Sequence, residues 1–242
     1  MYVLDANKTR IKKFDPSINM FREITPPGGF NIPDMTLDNN NNLYFAIQSS
    51  VTPTYYTLYH CIAGTYNTNS FRFVDVNSFG VNIISLAVDN NQNLYAAVTD
   101  NFGDGSSLLR IRPQLPLGND SIVFGSPLMY ATCPVSNDLY IYCNNWIGIG
   151  YTHSLLRLNM TTYATDTIVT TINSNGVNAN RMTMKGLVPY VYDGNNVFFV
   201  NSTGMLAVYA IPPQGFIGGM AFDQAGDFYL AVNNCIKKIS LE

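Results

Sequence analysis

Charge is what this chain has least of. Only 12% of its 242 residues are Asp, Glu, Lys or Arg, about half of the ~25% usual in a globular protein. The 13 basic residues are dispersed, and the densest group is Lys8, Arg10, Lys12 and Lys13. A net charge of −3 and a pI near 5.3 give no clustered basic surface to displace counterions from phosphates, so no nucleic-acid partner is expected. No apolar run approaches the ~20 residues that span a bilayer. The opening Met1-Tyr2-Val3-Leu4-Asp5 has no charged leader followed by an apolar stretch. No membrane partner is expected, and the expected location is intracellular.

Sulfur and imidazole are scarce as well. Four cysteines (Cys61, Cys133, Cys143, Cys235) are too few and too spread for a disulfide framework, and reduced thiols are expected. The two histidines, His60 and His153, have no Cys or carboxylate at metal-ligand spacing, so both read as packed or surface residues. No cofactor is expected. Polarity comes instead from 29 Asn with Ser and Thr. Such a composition yields sequons by chance, here at Asn7, Asn119, Asn159 and Asn201.

Against these absences stands a repeat, the signal that decides the fold reading. Five segments share one pattern: Met35–Ala46 (MTLDNNNNLYFA), Leu86–Ala97 (LAVDNNQNLYAA), a degenerate Ala131–Tyr140 (ATCPVSNDLY), Tyr190–Phe198 (YVYDGNNVF) and Met220–Ala231 (MAFDQAGDFYLA). Each is an apolar strand, an Asp in most copies, a short polar turn, and a second strand opening on an apolar–aromatic pair. Asp bonds backbone amides of a turn, and Asn or Gly tolerates the left-handed backbone that a tight hairpin requires. The strands are apolar on both faces, as when both sides of a sheet are covered. A third strand with a basic residue among apolar ones follows: Arg10–Phe14, Leu108–Ile111, Leu155–Leu158 and Ile236–Ile239. A fourth, such as Phe71–Val74, completes most copies.

About 40 residues and four strands per unit predict an all-β fold, a six-bladed β-propeller of four-stranded antiparallel blades forming one domain over residues 1–242. The chain opens on a second strand and ends after a third, so the first and last blades are expected to be incomplete. Their exposed edges make an oligomeric contact an expectation.

The stretch Tyr2–Asp15 resembles the NHL-repeat pattern, in which a strand, an Asp and a short turn lead to Arg-Ile-x-x-Phe-Asp. The Asp-to-Leu-Tyr hairpins resemble the wider six-bladed propeller group that includes the gluconolactonase and senescence-marker family. Ile32-Pro33-Asp34-Met35 is similar to the lactonase segment whose Pro-Asp-Gly supplies a metal-binding Asp, which would make Asp34 a ligand at the mouth of the channel. Met35 stands where that family has Gly, and its N-terminal Glu-Gly-Pro is absent. One ligand of three does not make a hard-cation site.

First-strand positions equivalent to Asp34 are read as Ser85, Tyr130, Pro189 and Gly219. Loops joining second to third strands are read at Gln48–Tyr55, Thr99–Ser107 and Cys143–Ser154. The last carries the sole tryptophan, Trp146, with Tyr151; such aromatics either pack onto the blade or serve a partner. Asp100 and Asp104 sit in a Gly/Asn loop with some likeness to a calcium loop but no following Glu. Asp34, Ser85, Tyr130, Trp146, Tyr151, Asp100 and Asp104 are thus the binding candidates, with no catalytic residue and no metal ligand beyond a conditional Asp34. The expected function is a non-catalytic binding or scaffold propeller presenting a loop-decorated face to a protein or glycan. The alternative is a metal-dependent lactonase or hydrolase of the gluconolactonase type.

Overall fold

A computed structural model describes residues 2–5, 7–15, 18, 20–24, 26, 31–38, 40–48, 56–63, 68–74, 82–89, 93–99, 106–111, 119–123, 128–135, 138–146, 151–173, 181–192, 196–201, 204–210, 217–232 and 235–240. Every regular element among them is a β-strand, and the strands form six small antiparallel sheets. No helix of the described residues is long and apolar enough to cross a membrane. The contacts divide the chain into two compact units, Tyr2–Met129 and Tyr130–Glu242.

In the first unit, the first sheet has three strands in sequence order: β1 (Tyr2–Leu4), β2 (Ile11–Asp15) and β3 (Met20–Ile24). The second sheet has β4 (Met35–Leu37), β5 (Leu43–Gln48), β6 (Tyr56–Cys61) and β7 (Thr68–Val74). The third has β8 (Asn82–Val88), β9 (Leu94–Thr99), β10 (Ser106–Ile111) and β11 (Asn119–Val123). Strand alternation then does the packing. Leu43, Phe45 and Ile47 of β5 turn to the first sheet, joining Ile11, Ile24 and Ile32. Tyr44 and Ala46, one residue out of phase, turn to the third sheet, joining Leu86, Val88, Leu94, Ala96 and Val98. Burying one such large side chain is worth about 1.5–3 kcal/mol, which is why a strand apolar on both faces belongs in the middle of a stack.

Two backbone bonds set the direction of the first sheet. Ile32 N–H donates to the Lys8 carbonyl at 2.8 Å, and Gln48 N–H donates to the Asn31 carbonyl at 2.9 Å. The β1–β2 turn therefore lies beside the entry to β4, at the end of the second sheet where β5 finishes. This makes β1 the counterpart of β5, a second strand.

In the second unit, the fourth sheet comprises β12 (Leu128–Val135), β13 (Asp138–Trp146), β14 (Tyr151–Asn159) and β15 (Thr165–Asn173). The fifth comprises β16 (Arg181–Lys185), β17 (Val188–Tyr192), β18 (Asn196–Asn201) and β19 (Gly204–Ala210). The sixth has three strands, β20 (Ile217–Phe222), β21 (Phe228–Val232) and β22 (Cys235–Ile239). Tyr140, Tyr142 and Leu155 pack with Val191 and Val200 between the fourth and fifth sheets. Tyr192 and Val197 pack with Phe228, Leu230 and Val232 between the fifth and sixth.

The repeat reading was out of phase in the fifth sheet. The YVYDGNNVF segment joins β17 to β18, so it is a second-to-third connection. The first hairpin of this sheet is instead the tight turn between Lys185 and Val188, which are cross-strand partners, with Gly186 at φ +62°. Pro189 accordingly lies in the second strand, opposite Met184, and is not a first-strand counterpart of Asp34. A further correction concerns Cys143–Ser154. Most of it is strand, because β13 and β14 pair continuously from Asp138↔Asn159 to Trp146↔Tyr151. Among β-branched and aromatic neighbours, Asn and Thr were accommodated in a long ladder rather than a loop.

Candidate functional site

The recurring Asp of the hairpins is a turn clamp. Asp38 Oδ1 accepts the N–H groups of Asn40 (2.9 Å) and Asn42 (2.8 Å). Its Oδ2 accepts Asn42 Nδ2 at 2.8 Å and the Tyr44 hydroxyl at 3.3 Å. Asp89 repeats this, with Asn93 N–H at 2.8 Å on Oδ1, and Asn93 Nδ2 at 2.8 Å and the Tyr95 hydroxyl at 3.0 Å on Oδ2. Asp223 keeps two of the bonds, from Asp227 N–H at 2.9 Å and the Tyr229 hydroxyl at 3.2 Å. A carboxylate can be buried when both oxygens are satisfied by such donors, and Asp38 and Asp89 are 8% and 9% exposed. Asn42 also reaches across its sheet, where its Oδ1 accepts Ala63 N–H at 3.0 Å, tying the first turn to the chain beyond β6.

These geometries give roles to the Asn four residues after the Asp and the Tyr six residues after it. The sequence reading took both only as turn former and strand opener, although their fixed offsets were visible in the aligned copies. Burial, the Asp38 charge and the hydroxyl's bond to that carboxylate push the Tyr44 phenol up to about 12. His60 stacks on the Tyr44 ring with centroids 4.7 Å apart and planes 18° from parallel. Burial lowers its pKa, and the Asp38 charge opposes the shift. His60 is thus a packed ring of the third strand.

Asp34 is half-buried just before β4, and its carboxylate Oδ2 accepts the Leu86 N–H of β8 at 2.7 Å. This is a link between the second and third sheets. A parallel tie, Ile83 N–H to the Tyr56 hydroxyl at 3.4 Å, joins the same two sheets. Ser85, the β8 counterpart of Asp34, is buried at 6% exposure, beside a register shift between Ile83 and Ser85. Asp34 and Ser85 are therefore brought together around the β4–β8 contact, with Leu86 the neighbour that sequence reasoning missed; no local pattern signals a bond spanning 52 residues.

The other candidates are placed less fully. Trp146 and Tyr151 are cross-strand partners at the end of the β13–β14 ladder, and Tyr130 lies in β12; their side chains fall outside the described residues. Asp100 and Asp104 lie wholly outside them. Among the described residues no three His, Cys, Asp or Glu side chains gather in a group that could hold a metal ion. The acidic groups that do recur are committed to backbone and phenol donors, an arrangement that builds hairpins and does not offer a proton-accepting pair to a substrate.

No protein-family model matches the sequence, and no curated protein does. Solved structures do match. Hydrazine synthase of Kuenenia stuttgartiensis superposes with a TM-score of 0.68 at 12% identity, over 100% of this chain and 80% of that one. A protein from Lactobacillus plantarum gives a TM-score of 0.57 at 12% identity, over 98% and 89%. A protein described as a 6-phosphogluconolactonase from Bacteroides uniformis gives 0.57 at 12% identity, over 97% and 75%. Likeness at such identity concerns the fold alone. The chain is similar to β-propeller-like proteins: all-β, built of small antiparallel sheets following one another along the sequence.

Proposed function

We propose that this chain is a six-bladed propeller of the NHL and gluconolactonase-like group, one domain over residues 1–242, acting as a non-catalytic binding or scaffold module. It presents the ends of its second-to-third-strand hairpins to a protein or glycan partner. The observation that carries this reading is the bond from Leu86 N–H to Asp34. The one carboxylate placed to act as a lactonase-type ligand serves instead as a latch between neighbouring sheets. Its counterparts Ser85 and Gly219 bring no second carboxylate.

The β13–β14 ladder favours a binding role at the hairpin ends, because it carries Trp146 opposite Tyr151. Paired aromatics at the tip of a long hairpin supply contact area at low entropic cost. Trp146 is the only tryptophan, so intrinsic fluorescence reads this tip directly. Titration with a panel of glycans and peptides should change that fluorescence saturably for at least one class, and Tyr151→Ala should weaken the effect. Saturable binding that leaves Trp146 emission unchanged would move the site elsewhere. Hydrolysis of sugar lactones that is lost in Asp34→Ala would replace the proposal with the lactonase reading.

A further inference from the structure

Among the described residues, the exposed large apolar side chains of the first unit gather at one end of two adjacent sheets. Ile18 (52% exposed), Met20 (59%) and Phe21 (49%) lie at the β2–β3 turn and the start of β3. Leu37 and Ile62, also exposed, lie at the β4–β5 and β6–β7 turns. The bonds Ile32–Lys8 and Gln48–Asn31 fix both sheets in the same direction, so these turns share an end.

At that end β3 is the outer strand of its sheet. Outer strands are usually made poor templates by bulges, and β7, β15 and β19 each pair with a register shift. The β2–β3 register, like that of β10–β11, runs without interruption, from Ile11↔Ile24 to Asp15↔Met20. Four of the five β3 residues are exposed. Charge adds a direction. Residues 2–24 hold five Lys or Arg against three Asp or Glu, in a chain of net charge −3. Within this sheet Asp5 is bound by Thr9 and Arg10, and Glu23 is paired with Arg10 at 3.5 Å.

We infer that β3 is a docking edge that accepts an extended acidic segment of a partner protein as an added strand. Main-chain hydrogen bonds along Met20–Ile24 hold it; on one face its apolar side chains lie against Phe21, and on the other, one residue out of phase, its carboxylates lie near Arg22. Strand addition of this kind draws affinity from the backbone and selectivity from alternate side chains. It is independent of the Trp146 tip, and either proposal can fail without the other.

The test uses the whole chain and a synthetic probe, a short peptide of alternating Glu and Val, compared with its Lys/Val counterpart and with a version N-methylated at alternate amides. The expected result is one-to-one binding of the Glu/Val peptide and slowed hydrogen exchange at Met20–Ile24. N-methylation should abolish binding, and charge reversal of the peptide, or Arg22→Glu with unchanged thermal unfolding, should weaken it at least about tenfold. Absence of binding by about 1 mM, binding indifferent to N-methylation, or protection confined to other strands overturns the inference.

Discussion

Asp34 and Leu86 are separated by 52 residues in sequence and by 2.7 Å in space, the carboxylate of one accepting the backbone N–H of the other. The bond spans two sheets and is charge-assisted, a class worth about 1.5–3 kcal/mol. Asp34→Ala should lower unfolding free energy by about 2 kcal/mol in urea titration. Asp34→Asn, which keeps an acceptor, should cost less. Equal stability of all three proteins would mean that the latch contributes nothing.

The clamp carboxylates should couple to their phenols. Tyr44→Phe and Tyr95→Phe each remove one donor to a buried Asp, at about 1 kcal/mol. A double-mutant cycle between Asp38→Asn and Tyr44→Phe should return a coupling of at least about 0.5 kcal/mol. Strict additivity would separate the two groups energetically.

Gly226 and Asn41 occupy the same place in their turns, three residues after the clamp Asp, each N–H donating to that Asp's carbonyl. Both are left-handed, at φ +86° and +61°. Gly226→Asn should therefore cost less than Gly226→Ala. Gly226→Ala should cost about 1–2 kcal/mol, and its new Cβ would meet Lys185 Cε at 3.3 Å. Indifference to Ala would remove the conformational reason for glycine there.

Stability should vary with pH in three windows. His60 has a folded pKa lowered by burial despite the Asp38 charge. As pH falls below about 6.5 the unfolded chain takes up a proton that the folded chain refuses. Stability declines until the folded value is passed, and His60→Phe should flatten this limb. For Asp5, burial opposes ionisation but is outweighed by bonds from Thr9 and Arg10 and by the Arg10 charge. For Asp223, the Asp227 N–H leads the lowering. Their contribution is complete above the ordinary carboxylate pKa of about 4 and disappears as pH falls through the lower folded values. Tyr44 gives the alkaline window, since its contribution holds below about pH 10 and is lost as pH rises through about 12. Phenolate absorbance should reveal late-titrating tyrosines, Tyr56 and Tyr229 also being raised, and Tyr44→Phe should remove one of them.

Much of this fold is written locally. Asp38, Asn42 and Tyr44 recur as Asp89, Asn93 and Tyr95, so the hairpin and its alternating core residues were readable. The same local signal misled at Tyr190–Phe198, where an Asp-Gly-Asn turn joins a second strand to a third. The true first hairpin, Lys185-Gly186-Leu187-Val188, contains no Asp at all. Asn144, Asn145 and Thr152 read as loop residues because their polarity outweighed the ladder they complete. Asp34 drew attention as an isolated carboxylate, but its partner is a backbone amide that any residue could supply. Its role therefore depends on sheet packing and not on residue type.

The central claim is that Asp34 serves the architecture and no metal-dependent reaction. Thermal unfolding of the wild-type protein and Asp34→Ala, each with and without saturating calcium, tests it most directly, since a ligand that binds the folded state must raise its stability. The account predicts that Asp34→Ala lowers Tm and that calcium shifts neither protein. A calcium-dependent rise in Tm seen in the wild type and absent from Asp34→Ala would contradict it.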